Sequence, residues 1–328
     1  MSLSEFSIIE RYFTRRASTR HDVVLGIGDD AAVLDIPQGM QLVAATDTFV
    51  ADVHFPAGTA PAAIGHKSLA VNLSDLAAMG AQPAWATLVL SLPEADANWL
   101  EAFSRGFFQL CERYGVQLVG GDTTRGPLAV TVQAMGLIPP GQMLQRRAAK
   151  VADRIFVTGT LGDASLGLRL LQASHALDSP EARELVRRLE YPEPRIAYGI
   201  ALRGIASAAI DISDGLMADL GHILEQSGVG AELRVDQVPT SPAYQRLCEQ
   251  LDIGPGTPEA LQGALAGGDD YELCFTVPPY RIEQFEALAE VFEMCTQIGV
   301  IQETPGLRCV YSDGRDFRAG APGYQHFG

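Results

Sequence analysis

The chain has 328 residues, 47% of them hydrophobic, with a formal net charge of −16 and a pI near 4.7. That length and apolar content bury a substantial core and suit two domains. The acidic balance excludes nucleic acid or an anionic membrane as the main partner, because both demand a basic surface.

The opening MSLSEFSIIERYF lacks the charged start and long apolar run of a signal peptide, and no segment approaches a stretch long enough to span a bilayer. Cys111, Cys248, Cys274, Cys295 and Cys309 form no CxxC pair and are odd in number, as expected of reduced core thiols. A soluble, cytoplasmic protein is expected.

Ile8, Ile9, Tyr12 and Phe13 fit a short amphipathic helix, and the basic stretch TRRASTRHD after it reads as mobile, with order resuming near Val23. Residues 41–45 read as a buried strand, 61–79 as an Ala-rich helix, 85–92 as a strand and 95–114 as a second helix. In that second helix Trp99, Phe103, Phe107 and Leu110 line one face and Gly115 supplies the stop. Residues 116–119 and 128–138 follow as strands, and Pro139-Pro140-Gly141 marks the expected boundary between domains 1–140 and 141–328. Beyond it the pattern predicts strands at 154–158, 206–212, 231–235, 272–277, 295–300 and 307–311. Helices are expected at 164–174, after the Pro-containing break 191–195, and at 216–226, 242–250 and 281–291. This is a mixed αβ pattern, α+β in class, without repeats or low-complexity tracts.

Four aspartate-bearing segments border apolar stretches: GIGDDAA (26–32), TDT (46–48), GGDTT (120–124) and DISDGL (211–216). Carboxylates and hydroxyls without supporting His or Cys suit hard, oxygen-loving cations, and Mg²⁺ is usually held by a few carboxylates with waters and substrate phosphates. The set points to a metal-dependent, phosphate-handling enzyme. In GGDTT two glycines permit close backbone approach to a ligand, so the segment reads either as a ligand-binding loop or as a tight turn with a solvated Asp122. Ser213 and Asp214 lie at the start of the helix 216–226, where exposed N–H groups favour an anion. Asp47 reads equally as a cap, Asp75 as an exposed helical carboxylate and His54 as a packed histidine. GGDDYEL (267–273) reads as a turn into the next strand, and Tyr324 in GYQHF as a stacking residue or a tail anchor. Arg146, Arg147 and Lys150 form a basic run suited to phosphate oxygens or simply to solvent. No GxxxxGK[ST], GxGxxG, HRD or DFG signature is present, so P-loop, Rossmann and protein-kinase sites are unsupported.

Taken in order, GIGDDAA, ATDTFVADVHF, KSLAVNLSDLAAMGAQP, VGGDTTRG, DISDGL, GGDDYELCF and GYQHF resemble the thiamine-monophosphate kinase family. That family belongs to the superfamily of aminoimidazole ribonucleotide synthetase and selenophosphate synthetase. The resemblance spans nearly the whole chain. It implies a two-domain synthetase-like fold and a homodimer whose N-terminal sheets join into a barrel, with a C-terminal αβ domain completing the nucleotide and substrate sites. It also implies ATP-dependent phosphorylation of thiamine monophosphate to thiamine diphosphate, with several Mg²⁺ ions as cofactor and ATP as co-substrate.

By matching motif positions, Asp30, Thr46, Asp47, Asp75, Asp122, Asp211 and Asp214 would hold the metals. Gly121, Asp122, Arg146 and Ser213 would contact ATP, and His54, Asp269 and Tyr324 would line the substrate pocket. Asp122 and Arg146 would carry the chemistry. Ala45 stands where the family often has a hydroxyl residue, Arg146-Arg147-Ala148-Ala149 replaces its arginine-serine-glycine-alanine segment, and Asp269 replaces its common Glu. Two other readings keep the aspartates: a ring-closing synthetase of the same superfamily, and a non-catalytic nucleotide-binding dimer.

Overall fold

The computed structural model describes residues 4–14, 19–173, 179–254, 256–288, 295–318, 320 and 323. The chain divides into two compact units, Met1–Leu76 with Ala81–Met143, and Ala77–Gly80 with Leu144–Gly328. The core of the expected mobile stretch, residues 15–18, and Tyr324 lie outside the described residues.

In the first unit, helix α1 (Glu5–Ile8) runs into a wider turn, Ile9–Phe13, that buries Tyr12 and Phe13. Strands β1 (Val23–Leu25) and β2 (Val33–Leu34) form a small antiparallel ribbon. Strand β3 (Gln41–Val50), helix α2 (Pro61–Ala78), strand β4 (Gln82–Leu92), helix α3 (Ala97–Tyr114), and strands β5 (Gln117–Arg125) and β6 (Ala129–Ile138) complete it. The sheet order is β3-β6-β4-β5, antiparallel except for the β4/β5 pair. A parallel pair cannot be joined by a tight hairpin, and α3 is the crossover that joins this one.

Helix α3 forms where its apolar spacing predicts, with Asp96 accepting from the N–H groups of Asn98 and Trp99 and Gly115 closing it in the left-handed region. Helices α2 and α3 cross at Gly65 and Gly106. A Cβ on either would meet a carbonyl oxygen of the other helix, Phe103 O at 2.2 Å or Ala62 O at 2.0 Å. On the sheet, Ala84, Trp85, Val119, Met135 and Leu137 bury against Val23, Ala32, Leu34 and Met40 of the ribbon and its flanks. The buried Asp22 is clamped by the Arg20 guanidinium at 2.9 and 2.7 Å and accepts the Trp85 indole N–H at 3.1 Å.

The second unit carries strand β7 (Arg154–Thr158), helices α4 (Asp163–Gln172), α5 (Pro180–Glu190) and α6 (Ile196–Ala201), strand β8 (Ala208–Asp211), helix α7 (Leu216–Ser227) and strand β9 (Gly230–Arg234). Helices α8 (Pro242–Gln250) and α9 (Pro258–Ala266), strand β10 (Leu273–Val277), helix α10 (Ile282–Glu286), and strands β11 (Cys295–Gln302) and β12 (Gly306–Val310) follow. The six-stranded sheet has the order β12-β9-β11-β7-β10-β8 and is antiparallel except for β12 beside β9. One core joins this sheet to α7 and α9 through Ile210, Leu216, Leu220, Leu233, Leu265 and Cys274, and a second lies among α4, α5 and α8. Helices α5 and α9 are additions to the expected pattern, each opened by a hydroxyl cap and proline, Ser179-Pro180 and Thr257-Pro258. Among the described residues no helix is long and apolar enough to cross a membrane.

Candidate active site

In the first unit the TDT motif lies inside β3, which runs on well past Ala45. Thr46 and Thr48 are exposed, whereas Asp47 is half-buried, as strand alternation requires. The Asp47 N–H donates to Asn72 Oδ1 at 3.1 Å, and Asn72, fully buried on α2, is itself held by the Ser68 carbonyl at 3.0 Å. Asp75, one turn further along α2, hydrogen-bonds to the Asp47 carboxylate. Burial pushes the Asp47 carboxyl above its ordinary value, while Asp75 and the nearby His54 pull it back. His54, in the turn after β3, is tied back to that strand: Nδ1 accepts the Val50 N–H at 3.0 Å, and the ring stacks on Phe49 with centroids 5.5 Å apart.

GGDTT is not a loop; it lies within β5, paired in parallel with β4. Gly121 serves this pairing. A bulge falls at Ala86/Thr87, and Gly121 has φ +144° with Leu88 O only 1.8 Å from where a Cβ would sit. Exposed Asp122 therefore joins the cross-strand row of Val89, Thr131 and Thr48. Asp47 occupies the adjacent row on the other face, three strand spacings away, roughly 14 Å. Asp30 is exposed in the turn after Gly28, its N–H bonded to Asp29 Oδ1 at 2.8 Å. The first unit thus places Asp75 and His54 beside Asp47 and sets Asp122 apart from them. Among the described residues no three His, Cys, Asp or Glu side chains gather closely enough to hold a metal ion.

In the second unit, β8 ends at buried Asp211, and the turn Ser213-Asp214-Gly215 leads into α7. The expected anion cradle at this helix start is already filled from within. Asp219 Oδ2 accepts the N–H groups of Ser213, Asp214 and Gly215 at 3.0, 3.1 and 3.1 Å. Burial, with Asp211 and Asp214 nearby, pushes the Asp219 carboxyl up to about 8 against the pull of those amides. Asp219 is a residue the motif reading missed; its signal was an aspartate in the first turn of a helix whose entry needs an acceptor.

The segment before β10 zips onto that turn: Ile212 N–H donates to Glu272 O at 2.8 Å, Tyr271 N–H to Ile212 O at 2.8 Å and Asp269 N–H to Ser213 O at 2.9 Å. Asp269 and Tyr271 are both left-handed, with φ +68° and +52°. Glu272, also missed, is a buried hub held by Arg195, by Arg188 at 3.2 Å and by the Thr158 hydroxyl at 2.6 Å. Arg188 continues to buried Asp163 at 3.5 Å, which takes the Ser241 hydroxyl at 2.6 Å. Asp270 accepts the Gly162 N–H, and desolvation raises its carboxyl well above the ordinary range.

Arg146 and Arg147 are both exposed in a short turn tied to the end of α7, where the Ser227 hydroxyl donates to Arg146 O at 3.0 Å. The Arg147 guanidinium donates to Gln145 Oε1 at 2.9 Å.

Two family models match: AIR synthase related protein, N-terminal domain, over residues 28–138, and its C-terminal domain over residues 150–312. The chain is 50% identical to the thiamine-monophosphate kinase of Salmonella typhimurium, covering 100% of this chain and 99% of that one. The crystal structure of thiamine-monophosphate kinase from Stenotrophomonas maltophilia K279a is 47% identical with a TM-score of 0.85, over 97% of this chain and 99% of that chain. A structure described as AaThiL complexed with AMPPCP and TMP is 34% identical with a TM-score of 0.78, over 92% of each chain. The chain belongs to the AIR synthase related family, with both of its domains present, and within it to the thiamine-monophosphate kinases.

Proposed function

We infer that this chain transfers the γ-phosphoryl group of ATP to thiamine monophosphate, forming thiamine diphosphate. The observation that carries this is the end-to-end identity to kinases of that name, together with a similar structure that holds AMPPCP and TMP.

The donor set suits magnesium in kind: it is entirely oxygen, and the paired Asp47 and Asp75 carboxylates call for a shared proton or a cation, although among the described residues the acids do not gather into a closed metal cage. Asp30, Thr46, Asp47, Asp75, Asp122, Asp211 and Asp214 are the proposed ligands for several ions. When bound, Mg²⁺ would supply the positive charge that screens two mutually repelling phosphates. Gly121, Asp122, Arg146 and Ser213 are assigned to ATP, and His54, Asp269 and Tyr324 to thiamine monophosphate. The Gln145 bond on Arg147 supports Arg146 as the phosphate-facing arginine.

The acceptor is a phosphate monoester whose second pKa is about 6, so at neutral pH its nucleophilic oxygen is already exposed and no protein base is needed. Catalysis then rests on positioning and on electrostatic stabilisation of an in-line transfer. No covalent phosphoenzyme lies on this path, and trapping one during normal turnover would refute it.

Residues 1–140 are assigned the metal- and ATP-binding acids and the dimer sheet, and residues 141–328 the remaining nucleotide and substrate contacts. The proposed assembly is a homodimer whose N-terminal sheets close into a barrel. Support comes from the edge position of β3 and from Val24, Val33, Ile36 and Leu42, exposed at 62, 48, 47 and 46% on that unit. The cytoplasm is the proposed location, in keeping with five free thiols. Incubation with ATP, Mg²⁺ and either thiamine monophosphate or an amidine ribonucleotide tests the assignment. Consumption of thiamine monophosphate is expected; consumption of the amidine alone would move the chain to ring-closing chemistry, and tight nucleotide binding without ADP formation to a non-catalytic role.

A further inference from the structure

Between Gly267 and β10 the chain alternates its side chains between two environments. Asp270 and Glu272 turn inward, one to the Gly162 N–H and the other to Arg188, Arg195 and Thr158. Asp269 and Tyr271 lie on the other flank, beside the Ile212–Ser213 backbone to which their own N–H groups are bonded. Both adopt left-handed φ values that residues bearing a Cβ rarely take, and the bonds on either side of them hold them there. Tyr271 is only 7% exposed, so its ring is fixed by packing, and its hydroxyl donates to Asp269 Oδ1 at 2.9 Å.

We propose that Tyr271 is a positioning residue whose hydroxyl aims the Asp269 carboxylate at the thiamine portion of the substrate. The inference rests on the assignment of Asp269 to the substrate pocket. A carboxylate repels the phosphate of thiamine monophosphate and complements the rest of the molecule, the cationic thiazolium ring and the amino group of the pyrimidine. Asp is also the acid suited to this backbone: short polar side chains are the ones that tolerate the left-handed region. With one methylene fewer than Glu, its carboxylate has little reach of its own, and the tyrosine hydroxyl bonded to Oδ1 selects its orientation.

The test uses three variants of the full chain: Tyr271→Phe, which keeps the ring, Asp269→Asn, and the double variant. Removing one hydrogen bond to a charged group is expected to raise the KM for thiamine monophosphate by roughly tenfold, with kcat, the KM for ATP and the melting temperature near wild type. Asp269→Asn should raise the same KM, and adding Tyr271→Phe to it should change nothing further. If Asp269→Asn raises that KM and Tyr271→Phe does not, the positioning role is overturned and the pocket assignment stands. If Asp269→Asn leaves it unchanged, the pocket assignment fails and the proposal with it. A Tyr271→Phe enzyme that melts earlier and loses kcat and both KM values together would make the tyrosine purely structural.

Discussion

Glu272 and Asp122 are both acids in or beside a sheet strand, and their surroundings are opposite. Glu272 is 1% exposed and takes hydrogen bonds from two arginines and a threonine, so the fold itself balances its charge. Asp122 stands exposed on β5, and no described residue donates a hydrogen bond to its carboxylate. The difference separates two uses of negative charge in one chain. Acids that protein donors have satisfied serve the fold, and acids left in water on a rigid strand are available to a ligand.

The largest expected effect tests the first half of that contrast. Glu272→Ala would leave Arg195 without its buried carboxylate and Arg188 with Asp163 alone, and is expected to cost about 3–5 kcal/mol of stability. Urea unfolding of the variant measures it, and a loss below about 1 kcal/mol would show that the hub is not holding the second unit together.

Asp22 is the same kind of acid in the first unit, and it adds a pH signature. Its bond to Arg20 holds the carboxyl below the ordinary value despite some desolvation. A depressed folded-state pKa contributes stability above the unfolded-state value, and that contribution disappears as pH falls through the folded-state value. Asp22→Asn should therefore cost about 1–3 kcal/mol at pH 7, and the gap to wild type should shrink as pH falls below about 4. A gap that is constant across pH would break the assignment.

The smallest expected effect is at a cap. Asp96 accepts from two amides at the start of α3, and Asp96→Ala should lower stability by about 1 kcal/mol without touching turnover. Matched unfolding and activity measurements check both halves of that statement.

What could be read from the residues beforehand follows the same division. Helix α3 was legible because Trp99, Phe103, Phe107 and Leu110 share a face and Gly115 ends it, and strand β7 and helix α8 occupy the expected spans. Glycine pairs misled. In GGDTT they suggest a loop, whereas Gly121 lets β5 approach β4 closely enough to pair. Helices α5 and α9 are marked in the sequence only by their starts, a capping hydroxyl followed by a proline.

The aspartates proposed for the site stand out as a set because oxygen donors recur beside apolar strands, whereas their grouping does not: among the described residues Asp47 and Asp75 are in contact, and no three gather closely enough to hold a metal ion. Nor do the roles of Asp219 and Glu272, since both act through partners distant in sequence or through backbone amides that only the folded turn presents. The helix start at α7 shows why: a vacant anion cradle and one filled by the helix's own carboxylate have the same local motif.

The most direct measurement is turnover and melting temperature of Asp122→Asn in one preparation, assayed with ATP, Mg²⁺ and thiamine monophosphate. An exposed acid reserved for ligand chemistry predicts a loss of turnover of about a hundredfold or more with the melting temperature unchanged to within about 2 °C. Near-normal turnover, or a melting temperature that falls with the activity, would contradict it.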